Sequence, residues 1–117
     1  MPTSSQIPTV GEPLPRATEA YTTPEKLDWM LAANGHGPEW AQVFRVAPDD
    51  AQRVWRTLAQ AVLNAPISSI RDVNPYGVSC EVRVLLVFEK RTAPVLSAWH
   101  YSQPGDSPRL VTAFPTP

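Results

Sequence analysis

The chain has 117 residues, with 10 Lys+Arg against 11 Asp+Glu, 43% hydrophobic residues, 14 Pro and a single Cys. Domains usually hold about 100–200 residues, so this length predicts one domain, with no second catalytic domain expected. The formal net charge of −1 lacks the overall basic bias common in nucleic-acid binders, a single cysteine excludes an intrachain disulfide or a multi-Cys zinc site, and no run of about 18 apolar residues offers a membrane span.

Residues 1–21 carry Pro2, Pro8, Pro13 and Pro15 among Ser, Thr and Glu. Proline removes backbone donors and this polar composition buries little apolar area, which predicts an arm that is disordered or draped over a partner or over its own domain. Residues 22–117 predict a single α+β domain. Its first helix starts at Thr22-Thr23-Pro24-Glu25. Either Thr23 caps it with Pro24 at the first position, or Thr22 and Glu25 form a capping box. Leu27, Met30 and Leu31 recur at helical spacing, and Asn34-Gly35-His36-Gly37 ends the helix near residue 33. Gly37-Pro38-Glu39 opens a short helix through Phe44. Pro48-Asp49-Asp50 opens a third, striped by Ala51, Val54, Trp55, Leu58 and Val62 and stopped near Pro66.

The composition then turns to strand. Ile67 to Val73 leads through the turn Asn74-Pro75-Tyr76-Gly77 into Val78 to Phe88, where Val78, Cys80, Val82, Val84, Leu86 and Phe88 share one face. Val95 to Tyr101 and Arg109 to Phe114 complete four strands in sequential hairpins. Helices first and strands after predict an α+β fold, with two or three N-terminal helices packed on a four-stranded antiparallel meander sheet.

Simple hairpins at 90–93 and 102–107 would place Arg83, His100 and Arg109 in one row on the open sheet face, with Glu81 two residues along. Leu110, Thr112 and Phe114 would then point with Cys80 and Val82 into the helices. A carboxylate, an imidazole and two guanidiniums suffice in principle to cleave RNA without metal: Glu81 as base, His100 as acid, Arg83 and Arg109 as the clamp on the phosphorane. The plainer alternative makes these charges cross-strand ion pairs on a solvated face. His36, between two glycines ahead of a helix, either lies where backbone amides bind an anion or caps a loop carbonyl. Cys80 falls on the apolar face as an inert small residue. Two histidines and one cysteine give no metal-ligand spacing, and no Gly-rich phosphate loop or catalytic-triad signature occurs, so neither metal nor cofactor is expected.

Three stretches together carry a resemblance: Lys26-Leu27-Asp28-Trp29-Met30-Leu31, His36-Gly37 through Trp40-Ala41-Gln42-Val43-Phe44, and Ala98-Trp99-His100-Tyr101 with Pro108 to Pro115. Over residues 22–115 the chain resembles small bacterial domains of unknown function that stand alone or end polymorphic toxins. These are similar to the Barnase-EndoU-colicin-RelE class of metal-independent RNase toxins. The resemblance implies helices before a four-stranded antiparallel sheet, general acid/base endoribonuclease activity, and functional positions at Lys26, His36, Arg109 and Thr112. It departs at Gly37, where the family favours Pro, and at Trp40, where the family favours a basic residue. The expectation is an RNase-like toxin domain with an RNA substrate and an immunity or carrier protein as partner, and with no membrane association. The alternative is a non-catalytic interaction module of the same fold. The polar N-terminus Met1-Pro2-Thr3-Ser4-Ser5 adds an expectation of cytoplasmic location, or of delivery as a toxin domain without a classical signal peptide.

Overall fold

The computed structural model describes residues 7–116. Three helices precede a sheet of order β1-β2-β3-β4, in which every neighbouring pair is antiparallel. The helices are α1 (Pro24–Met30), α2 (Gly37–Phe44) and α3 (Ala51–Ala61), and the strands are β1 (Ile67–Asn74), β2 (Gly77–Phe88), β3 (Arg91–Tyr101) and β4 (Arg109–Pro115). The protein is therefore an α+β domain with all three helices N-terminal to a four-stranded meander.

Thr23 caps α1, its hydroxyl accepting the Lys26 N–H at 3.1 Å, with Pro24 in the first turn. The helix stops at Met30, three residues earlier than the sequence pattern predicts. From there the chain folds back on itself, with the His36 N–H on the Met30 carbonyl at 3.1 Å and the Gly37 N–H on the Ala32 carbonyl at 3.0 Å. Two glycines permit this. A Cβ on Gly35 would stand 2.2 Å from the Trp29 carbonyl oxygen, and one on Gly37 would stand 2.4 Å from that of Leu31.

The helices bury Leu27, Met30, Trp40, Phe44, Val54 and Leu58 against Cys80, Val82, Val84, Leu86, Val95, Trp99 and Leu110. Ser97 is the one buried polar residue in this face among the described residues. Its hydroxyl donates to the Val82 carbonyl at 2.9 Å and accepts from the Trp99 indole N–H at 2.8 Å, which satisfies it.

Residues 7–21 lie on the domain. The Gly11 N–H bonds the Ile67 carbonyl at 2.9 Å and the Ile67 N–H bonds the Glu12 carbonyl at 2.8 Å, on the outer edge of β1. On the opposite edge the Tyr21 N–H reaches the Pro108 carbonyl and the Leu110 N–H reaches Tyr21, each at 3.0 Å. Between these points Leu14 and Ala17 are buried, and the Tyr101 hydroxyl donates to the Pro15 carbonyl at 2.7 Å. The segment thus supplies partners to both edge strands, whose free backbone groups otherwise invite edge-to-edge association.

Two register details correct the sequence reading and decide what the open face presents. Phe88 pairs with Arg91, so Glu89 and Lys90 alone make the β2–β3 turn. This turn is tighter than the one expected at 90–93. Ala98 pairs with Thr112 while Trp99 pairs with Leu110, leaving Val111 as an extra residue in β4. That bulge reverses the faces beyond it, because one extra residue flips every later side chain. Ala113 and Pro115 are buried, and Thr112 and Phe114 turn to the open face instead of pointing into the helices.

Candidate functional site

The corrected register arranges the open face in three rows. Ser79, His100 and Arg109 form the first; Glu81, Ala98 and Thr112 the second; Arg83, Leu96 and Phe114 the third. Arg83 therefore does not share a row with His100 and Arg109. Four residues separate Leu96 from His100 along β3, about 13 Å of strand.

In the first row both His100 ring nitrogens are occupied: Nδ1 lies 3.0 Å from the Ser79 hydroxyl and Nε2 lies 3.0 Å from the Tyr76 carbonyl oxygen. A carbonyl only accepts, so Nε2 carries the proton and Nδ1 accepts from Ser79. His100 ties the β1–β2 turn to β3, and Arg109 lies opposite it on β4. In the second row the Glu81 carboxylate accepts from the Ser69 hydroxyl and the Arg71 guanidinium, each at 3.1 Å. Thr112 Oγ1 is buried with no hydrogen-bond partner among the described residues.

The third row leads to the corner between α1 and α2. The His36 ring stacks on Phe114, with centroids 4.5 Å apart and planes 25° apart. Its other neighbour is the Trp29 indole, edge-on at 6.1 Å. His36 Nδ1 lies 3.0 Å from a Glu39 carboxylate oxygen, and that bond holds Glu39 below the usual carboxylate range, with a backbone hydrogen bond adding to the effect. Among the described residues Nε2 has no hydrogen-bond partner. The Lys26 ammonium lies 5.9 Å from the centroid of the same Trp29 ring. The corner is locked to the sheet by Trp40, whose indole N–H donates to the Ala113 carbonyl at 3.0 Å on the outer strand.

The predicted residues thus divide into groups. Lys26 and His36 meet through Trp29, and Phe114 brings His36 into the row of Arg83. Thr112 and Glu81 share the middle row, while His100 and Arg109 share the far one. Sequence reasoning missed Glu39, which the His36 to Glu39 spacing of three at a helix start signals, and it missed Phe114, whose place depends on the β4 bulge. Cys80 is fully buried and its thiol is pushed up to about 12 by burial, with the Glu81 charge adding to it. Among the described residues no three His, Cys, Asp or Glu side chains converge as metal ligands. No helix is long and apolar enough to cross a membrane.

Fold and site define an α+β domain whose sheet is covered on one face and presents histidine, arginine and threonine on the other. The chain belongs to the family described as a domain of unknown function, DUF6883, whose model matches residues 13–117. No curated protein and no solved structure matches the chain.

Proposed function

We propose that the protein is a metal-independent endoribonuclease of the toxin type, with His36 as its catalytic acid/base. One observation carries this reading. His36 is held on three sides, by Glu39 at Nδ1, by Phe114 against its face and by Trp29 at its edge, while Nε2 has no hydrogen-bond partner among the described residues. That is how an acid/base imidazole is oriented, with a carboxylate fixing one nitrogen and leaving the other for proton transfer. The sequence resemblance to small bacterial domains, themselves similar to the Barnase-EndoU-colicin-RelE class, is in keeping with this reading, because their pattern singles out Lys26, His36, Arg109 and Thr112.

The chemistry needs few parts. Nε2 takes the proton of an RNA 2′-hydroxyl, and the 2′-oxygen bonds to phosphorus. The bond from phosphorus to the 5′-oxygen then breaks. Nε2 returns its proton to that leaving oxygen, and a 2′,3′-cyclic phosphate remains. Arg83, in the row of Phe114, offsets the charge that builds on the phosphorane. Lys26 acts as a substrate donor, Arg109 binds a neighbouring phosphate one row beyond Thr112, and Thr112, whose hydroxyl is buried, shapes the floor between them. Glu39 is a positioning residue. In this reading His36 takes the acid/base role, because the two nitrogens of His100 and the carboxylate of Glu81 already hold structural partners.

The experiment is cleavage of total RNA in EDTA by the parent and by the His36→Ala, Arg83→Ala and Arg109→Ala variants, with folding checked by circular dichroism. Cleavage that folded His36→Ala loses supports the reading, and intact RNA at every parent concentration overturns it. A second reading, a non-catalytic protein-interaction module, is favoured by Leu85 and Val87, which stand 69% and 58% exposed on the same sheet face. It gains if the parent leaves RNA intact while Leu85→Asp abolishes capture of an immunity or carrier protein.

A further inference from the structure

At the end of the molecule away from His36, a cavity of about 710 Å3 opens between the C-terminus of α2 and the β2–β3 turn. Phe44, Arg45, Phe88, Glu89, Lys90 and Arg91 line it. A second depression adjoins it at Phe88 and Glu89 and adds Arg53 and Arg56. Of the chain's 10 Lys and Arg, Arg45, Arg53, Arg56, Lys90 and Arg91 gather at this one pole. Asp50 and Glu89 stand against them, both bonded to Arg53, which leaves Arg45, Arg56, Lys90 and Arg91 as the cations without an ion-pair partner among the described residues.

The cations of the cavity rim are unengaged. Arg45, Lys90 and Arg91 form no ion pair among the described residues. The one acid in the lining, Glu89, is bonded to Arg53, which also reaches Asp50 at 3.1 Å. The backbone fixes where two of the lining side chains start. Among the described residues three non-glycine positions have positive φ, and two of them, Arg45 at 60° and Glu89 at 57°, line this same cavity. Arg45 is the left-handed residue that ends α2, and Glu89 opens the two-residue β2–β3 turn, so both side chains are fixed at the rim by the ends of regular elements. Glycine would fit both positions, but it would remove the Arg45 guanidinium from the rim and the Glu89 carboxylate that holds Arg53.

We infer that this pole is a binding site for the phosphodiester backbone of single-stranded RNA, extending the substrate path away from the cleavage site. The inference rests on the endoribonuclease reading. Phe44 and Phe88 are 3% and 6% exposed, so they form a floor rather than stacking platforms for bases. The site then contacts phosphates without reading sequence. His36 and Arg45 flank the two ends of α2, about 13 Å apart along its axis. A few nucleotides of one strand span that distance.

The test uses a fluorescein-labelled 12-mer RNA with 2′-fluoro groups, which lacks the attacking hydroxyl and so separates binding from cleavage. Anisotropy titrations at several salt concentrations compare the parent with the triple variant Arg45→Asn/Lys90→Gln/Arg91→Gln, and with Arg16→Gln as a charge control elsewhere. Asparagine tolerates the left-handed conformation at position 45. The triple variant loses affinity about tenfold or more at low salt, and its slope of log affinity against log salt falls by about 2, since each single-strand phosphate contact contributes about 0.7. Arg16→Gln stays within about twofold of the parent. A triple variant that binds like the parent overturns the site whatever the cleavage assay shows, and so does a parent that does not bind the 12-mer at low salt. A parent that binds through this pole yet leaves ordinary RNA intact overturns the cleavage reading and leaves the site standing.

Discussion

His36 and Glu39 are joined at 3.0 Å from Nδ1 to carboxylate oxygen, three residues apart across the first turn of α2. The pair orients an imidazole that also stacks on the outermost strand. Because an acid/base group contributes about 100- to 10,000-fold, His36→Ala should lower RNA cleavage by at least 100-fold with the fold intact. Glu39→Gln keeps the shape but removes the charge, so an intermediate loss of about tenfold or more is expected. Rates on a defined oligoribonucleotide check both, and parent-like activity in His36→Ala rules out its catalytic role.

The same pair predicts a titration. His36 holds the Glu39 carboxyl below its ordinary value, so in NMR titrations Glu39 loses its proton at lower pH than a free glutamate. In His36→Ala it returns toward the free value. The sign follows from linkage: a carboxylate depressed in the folded state adds stability above its unfolded value of about 4.3, and that stability is lost as pH falls through the folded value. The parent should therefore lose stability in acid through this group, and His36→Ala should show a smaller component, keeping only the part due to the backbone hydrogen bond. An unchanged Glu39 curve between the two proteins would mean the bond does not form in solution.

Much of this architecture was legible in the sequence. The Thr23-Pro24 start, the apolar stripe of α3 and the alternation of β2 each follow from local chemistry, and they were enough for the α+β class and the meander. The site was less legible because it depends on register. A turn of Glu89 and Lys90 instead of 90–93 carries Arg83 away from His100, and one extra residue at Val111 turns Thr112 and Phe114 outward. Neither event leaves a glycine or proline signal at its own position. Positive φ at Glu89 is a backbone conformation that composition does not announce.

Gly35 tests whether the turn positions His36. A Cβ there would stand 2.2 Å from the Trp29 carbonyl oxygen, so Gly35→Ala must displace the backbone between α1 and α2. Forcing atoms into such a space typically costs about 1–3 kcal/mol. The variant should unfold at lower urea concentration, and its His36 ring resonances should shift while those of His100 stay in place. Equal movement of both rings would point to a general loosening of the fold.

The N-terminal segment makes its own prediction through Tyr101. This phenol is 1% exposed and donates to the Pro15 carbonyl at 2.7 Å, so burial pushes its ionisation upward. Tyr101→Phe leaves a buried carbonyl without that donor, at a cost of about 1–3 kcal/mol. Hydrogen exchange should quicken at Gly11 and Tyr21, whose amides bond the two sheet edges, more than in β2. Uniform quickening in every strand would show that the segment and the sheet open as one unit.

Cys80 predicts the behaviour of the core in alkali. It is fully buried between Val82 and Trp99 in the sheet, and its thiol is pushed up to about 12. An unfolded cysteine ionises near 8.5, so at pH 8 the folded protein holds about a thousandfold less thiolate than the unfolded chain. Iodoacetamide should accordingly label the native protein at least about 1,000-fold more slowly than the protein in guanidinium. Above about pH 8.5 the unfolded chain releases this proton while the folded chain keeps it, so stability declines as pH rises toward 12. Cys80→Ala removes the thiol's share of that decline, leaving the share that buried Tyr101 adds above about pH 10, at the cost of a small cavity between the helices and the sheet. Rapid labelling of the native parent at pH 8 would show instead that the sheet opens locally around Trp99, and the alkaline decline would then have another source.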